Sequence, residues 1–190
     1  GSPVYFTSQH DNSVGATLDG SSGSPAKGDY PALLAEHDNA GSYSANHFDY
    51  CIIRYATSVC TRTYGNGTFD YYVDCEVSDC TDGLRWLAMV TRVYAHDITN
   101  IAINNPPNGA SDLVVDTAGT GIGGELWAGA TIKRALIMNC GVGIRSDQSW
   151  SSTPTVIHGA TIYNCTVGVQ TNPGNWNYMD LQVYNSIITG

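Results

Sequence analysis

Glutamate and lysine are almost missing from this chain, with three Glu and two Lys among 190 residues. Both are good helix formers, so their scarcity speaks against a helical bundle. Basic charge is scarce too. Eight Lys and Arg stand against 17 Asp and Glu, a formal net charge of −9. No basic surface exists to displace counterions from a nucleic-acid backbone, and DNA and RNA are excluded as partners. No apolar run approaches the roughly 20 residues that a membrane-spanning helix needs, so no membrane span is expected. The six cysteines lack the Cys-x-x-Cys spacing of zinc fingers. Phosphate-binding loops, nucleophile elbows and His-Glu-x-x-His motifs are also absent, which leaves nucleotide chemistry and zinc proteolysis without support.

In their place stand Thr, Ser, Asn, Asp and Gly, 83 residues in all. These favour strands, turns and bends over helix. A chain of this length that is 42% hydrophobic and 13% charged suits one sizeable core, so residues 1–190 read as a single domain.

An internal repeat organises that domain. The segment Ile137-Met138-Asn139-Cys140-Gly141-Val142-Gly143-Ile144 matches Ile162-Tyr163-Asn164-Cys165-Thr166-Val167-Gly168-Val169 in identity or type at six of eight positions. The same template fits the segments that begin at Val77 and Val115, and more loosely those at Ile53, Ile98 and Val183. Seven copies at about 22 residues each lie in the range of a stacked array of supersecondary units. Each copy shows two-residue alternation and then a bend, often with glycine in the seventh place. The third place reads Tyr55, Asp79, Asn100, Thr117, Asn139, Asn164 and Asn185, and stacked amides there would hydrogen-bond from coil to coil. The fourth reads Ala56, Cys80, Ile101, Ala118, Cys140, Cys165 and Ser186, mostly small side chains suited to a narrow interior. Such units are too short for a strand, a helix and two connections. The expected fold is all-β, a single-stranded solenoid of parallel coils.

At this point the chain resembles the right-handed parallel β-helix repeat proteins of the pectate-lyase-like superfamily, over about residues 48–190. The opening residues add a second likeness. Val4-Tyr5-Phe6-Thr7-Ser8, Asp11-Asn12-Ser13-Val14-Gly15 and Pro25-Ala26-Lys27-Gly28-Asp29-Tyr30 are similar to the first coils of bacterial and archaeal surface or secreted β-helix proteins. Residues 1–47 would then be opening coils with an Asp/Gly-rich loop, and 48–190 the regular coils. The resemblance implies an extracellular or cell-surface setting. Coil strands reach towards both ends without a capping helix, so the chain reads as a unit of a larger protein or assembly that self-associates through uncapped coil ends.

Candidate chemistry follows from the aligned coils. Glu76 and Asp97 fall in one outward column, with Asp74 and Asp116 close by, and clustered carboxylates suit Ca²⁺. They equally suit a solvated acidic face that keeps a lysine-poor protein in solution. Calcium is the only cofactor suggested, and the structural reading requires none. By resemblance to β-helix polysaccharide lyases, Arg54 or Arg134 would take the proton from a calcium-bridged uronate. Cys51, Cys75 and His96 line up inward on successive coils. Two thiolates and an imidazole fit zinc poorly without a fourth ligand, and free buried thiols suit them better. An aromatic residue follows each bend at a similar offset: Tyr64, Trp86, Trp127, Trp150 and Trp176. Trp150 and Trp176 lie in polar loops and would stack sugar rings, with Arg145, Asp147, Asn175 and Asn177 as hydroxyl partners; alternatively the rings seal the corners of the rod. The sequence thus points to a structural or adhesive surface module that contacts a polysaccharide or cell-surface glycan. A calcium-dependent polysaccharide lyase and a phage-type receptor-binding spike are its alternatives.

Overall fold

The computed structural model describes residues 1–31, 47–60, 70–85, 87–106, 109–124, 130–147, 154–171 and 181–190. They form an all-β fold of parallel strands, with no helix among the described residues. The strands stack as a β-solenoid with turns about 24 residues apart. Numbered in chain order, they fall into three stacks. The first holds β2 (His47–Asp49), β5 (Asp70–Val73), β8 (Leu87–Thr91), the starts of β10 (Ala110–Gly123) and β11 (Thr131–Met138), then β13 (Thr155–His158) and β16 (Leu181–Tyr184). The second runs through β1 (Val4–Phe6), β3 (Cys51–Arg54), β6 (Glu76–Ser78), the start of β9 (Tyr94–Asn104), the middle of β10, the end of β11, β14 (Thr161–Tyr163) and β17 (Ile187–Thr189). The third comprises β4 (Ser58–Cys60), β7 (Asp82–Arg85), the ends of β9 and β10, β12 (Val142–Ser146) and β15 (Val167–Thr171).

Each stack contributes one apolar column to the core. The second stack buries Ile53, Val77, Ala95, Val115, Ile137 and Ile162 one above the other. The third buries Val59, Leu84, Ile103, Ile122 and Ile144. Each fully buried Ile or Leu contributes about 1.5–3 kcal/mol relative to an exposed one. On the last described level the column positions of Val183 and Ile188 are 41% and 50% exposed, although Ile157 and Ile162 directly beneath are sealed.

Two columns of left-handed residues bend the chain. Three residues before each member of the second-stack core column stand Tyr50, Asp74, Arg92, Asp112, Arg134, Gly159 and Asn185, all at positive φ. Two residues after stand Tyr55, Asp79, Asp97, Thr117, Asn139 and Asn164, again all at positive φ. Apart from Asn105, these account for every described non-glycine residue in that region. Asn, Asp and Gly adopt it readily, whereas other L-residues pay about 1–2 kcal/mol.

The Asn-Cys signature has a physical reason at these bends. Behind six of the left-handed residues, Tyr50, Asp74, Asp79, Asn139, Asn164 and Asn185, a small polar side chain turns back to the carbonyl two residues earlier. Cys80 Sγ donates to Ser78 O at 3.2 Å, Cys75 Sγ to Val73 O at 3.3 Å, and Ser186 Oγ to Tyr184 O at 2.9 Å. The same carbonyls also accept an amide from the neighbouring level, from Tyr55, Tyr50 and Gly159 respectively. A thiol or hydroxyl thus occupies the second lone pair of a carbonyl at the bend. Glycine in the seventh place answers to close packing. A Cβ on Gly143 would lie 2.5 Å from Gly168 O and 2.6 Å from Ile162 Cγ2.

The register departs from the sequence alignment at two levels. Ala95, not Ile98, stacks between Val77 and Val115, and Ile188, not Val183, stacks on Ile162. The cause is the connection from the third stack to the first, where nearly all variation in turn length resides. It is the single residue 86 between β7 and β8, but residues 61–69, 147–154 and 172–180 elsewhere. The Asp/Gly-rich opening loop lies against the rod. Tyr30 pairs with Ala56, Lys27 Nζ donates to the Asp97 carbonyl, and Asp29 accepts from Ser8 Oγ at 2.7 Å.

Candidate functional site

The corrected register redistributes the expected acidic cluster. Glu76 has Ile52 and Tyr94 as its neighbours in the stack, while Asp97 belongs to the left-handed column of Asp79 and Thr117. Asp74 lies in the other left-handed column and receives Arg92 in a two-pronged pair, Nε to Oδ1 at 2.6 Å and Nη2 to Oδ2 at 2.8 Å. Asp116 accepts Asn139 Nδ2 at 2.7 Å. No group of three or more His, Cys, Asp or Glu among the described residues is placed to hold a metal ion.

Both candidate base residues are ion-paired. Arg134 meets Asp112 two-pronged at 2.5 and 2.7 Å, and Arg54 Nη2 lies 3.4 Å from Glu76 Oε1 and over the Tyr5 ring. Donating to Asp112 holds the Arg134 guanidinium further from deprotonation than usual, and Asp112 is in turn held below the ordinary carboxylate range. The same exchange operates between Arg92 and Asp74. Asp74, Arg92, Asp112 and Arg134 therefore form an alternating acid–base column on successive levels. Sequence inspection missed it because Arg92 and Asp112 precede apolar residues, without the small polar signature of the other bends.

His96 faces outward, away from the cysteines with which the sequence grouped it. Val93 takes its expected place above Cys75, and the imidazole instead stacks on Tyr94 with centroids 4.4 Å apart. Its Nδ1 lies 2.8 Å from Asp97 Oδ2 and its Nε2 3.6 Å from Glu76 Oε1, so His96 links the two acids that the sequence placed side by side. Cys51, Cys75, Cys80, Cys140 and Cys165 are free thiols. Burial pushes Cys75 and Cys80 up to about 11 and Cys140 to about 12, so these sulfurs stay protonated and unreactive at neutral pH. The amide ladder forms between Asn164 Nδ2 and Asn139 Oδ1 at 2.7 Å, while Asn185 lies in the other column and reaches His158.

Of the expected sugar platform, Arg145 pairs with Asp147 at 2.9–3.0 Å. Trp150, Trp176, Asn175 and Asn177 lie outside the described residues, as do Tyr64, Trp86 and Trp127. The strands that flank these five aromatics all belong to the third stack on one side and the first on the other. A different surface feature is a groove of about 400 Å³ at the bend between the first and second stacks, lined by Tyr50, Ile52, Asp74, Glu76, Arg92 and Tyr94 among others. No family model, curated protein or solved structure matches this chain.

Proposed function

We propose that the chain is a rigid structural or adhesive module of an extracellular or cell-surface protein, and that it contacts carbohydrate. One observation carries the reading. The described strands before Tyr64, Trp86, Trp127, Trp150 and Trp176 all belong to the third stack and those after them to the first, so all five aromatics fall in sequence within the same kind of connection. Aromatic side chains carried on several coils would suit the successive rings of an extended glycan. The charged side chains favour support over catalysis. Arg54 and Arg134, the bases of a lyase reading, are each matched by a carboxylate.

Tryptophan fluorescence titrated with a panel of neutral and acidic oligosaccharides tests the proposal. Binding is expected to quench the emission, and Trp150→Ala with Trp176→Ala to weaken it at least tenfold. Absence of binding across the panel would overturn it. Chelator-sensitive formation of unsaturated sugar products would replace it with the lyase.

A further inference from the structure

We infer that the groove at Tyr50 is a subsite for a short run of rings of a neutral saccharide, a ligand assignment that rests on the carbohydrate reading above. The starting observation is the residue that fills this bend on the first level. In the left-handed column of Tyr50, the occupants Asp74, Asp112, Gly159 and Asn185 suit the conformation, and Arg92 and Arg134 are held by ion pairs across levels. Tyr50 has neither excuse. It sits at φ 61° with 53% of the residue's surface exposed and makes no side-chain hydrogen bond or ring contact among the described residues. The bend requires the conformation, but an exposed aromatic side chain in it adds strain that the suited residues of the other levels avoid, and such a residue is a candidate for function.

The surroundings specify the ligand. Tyr50, Asp74 and Arg92 occupy three successive levels, with Ile52, Glu76 and Tyr94 beside them on the same levels, so the groove climbs the stack by about two coil spacings of 4.8 Å each. The two tyrosines therefore stand two levels apart with polar groups between them, a spacing that suits alternate rather than adjacent rings of a glycan. Tyr94 is fixed by its stack on His96 and keeps 39% of its surface open. The two carboxylates between the rings are balanced by two guanidinium groups, Asp74 by Arg92 and Glu76 by Arg54. A charged ligand would find no unmatched counter-charge there. The ion-paired carboxylates still have lone pairs for hydroxyl donors, and Arg92, 54% exposed, has N–H groups for hydroxyl acceptors. A polyhydroxylated, uncharged ring meets all three requirements: an aromatic face, paired donors and acceptors, and no net charge. At about 400 Å³ the groove is of ordinary ligand-site size.

Tyr50→Asn separates ligand binding from folding, because asparagine relieves the left-handed strain while removing the ring. Titration calorimetry with neutral and uronic-acid oligosaccharides of matched length is expected to show preference for the neutral series. Tyr50→Asn should lower that affinity at least tenfold with the melting temperature unchanged or raised, and Tyr94→Ala should weaken it in the same sense. Neutral-ligand binding that survives Tyr50→Asn, or a preference for the acidic series, would overturn the groove assignment and leave the carbohydrate reading standing. No binding by either series would overturn both.

Discussion

The two bends that frame the second stack meet the same backbone demand with different chemistry. At the bend before it, Asp74, Arg92, Asp112 and Arg134 alternate in sign, and two-pronged ion pairs tie the levels together in solvent. At the bend after it, Asn139 and Asn164 join in an amide ladder that ends on Asp116, and glycines follow closely behind. The first bend is open, with nothing within 4 Å of a Cβ built on Gly159; the second is crowded. A left-handed turn therefore requires only a tolerable φ. What stands next to it decides whether charge or close packing secures the level.

Closely packed glycine should give the largest contrast. Gly143→Ala is expected to destabilise by about 1–3 kcal/mol through overpacking. Gly159→Ala, strained by its φ of 70° but free of contacts, should cost about 1–2 kcal/mol. Urea unfolding midpoints compare them directly, and equal losses would mean that the two bends are not differently packed. A gain should come from Thr117, a β-branched residue at φ 56°. Thr117→Asn is expected to stabilise by up to about 1 kcal/mol, because asparagine tolerates the left-handed region better. A lower melting temperature would show that the threonine side chain returns more than its strain costs.

The smallest effect should belong to the ionic bend. Asp74 and Asp112 are depressed below 3.8 by the hydrogen bonds of Arg92 and Arg134. A depressed carboxylate stabilises the fold above its unfolded pKa, and that contribution disappears as pH falls through the folded value. Stability should thus decline below about pH 4 by an amount that the double variant Asp74→Asn, Asp112→Asn reduces. Because both pairs are exposed, salt should screen them at neutral pH, whereas the amide ladder should be indifferent to salt. Acid melts of the double variant that parallel those of the wild type would remove the ionic bend from the account.

How much could be read from the letters depends on which atoms are forced. Asn139-Cys140 and Asn164-Cys165 announced themselves because a left-handed residue, a donor for the spare carbonyl lone pair and a glycine under an isoleucine all leave narrow choices. The level of Ala95 did not, because Asp97-Ile98 lacks the thiol and the connection before it shrinks to residue 86. Asn185-Ser186 misled for a further reason. Both bends carry the same signature of a left-handed residue and a small hydrogen-bonding one, so the pair was indistinguishable from Asn164-Cys165 until the strands were paired. The three-residue slip at Ala95 carried Asp97 into the wrong column and hid Tyr94 and His96 from their true neighbours. Pairing across levels, as between Arg92 and Asp74, depends on register to the residue and was invisible for that reason.

Concentrating length variation at one junction has an engineering meaning. Segments of one residue and of nine join the same two stacks, while the strands on either side keep their partners. That edge is accordingly the place where foreign peptides can be grafted at several heights along one scaffold, with the other two bends left untouched.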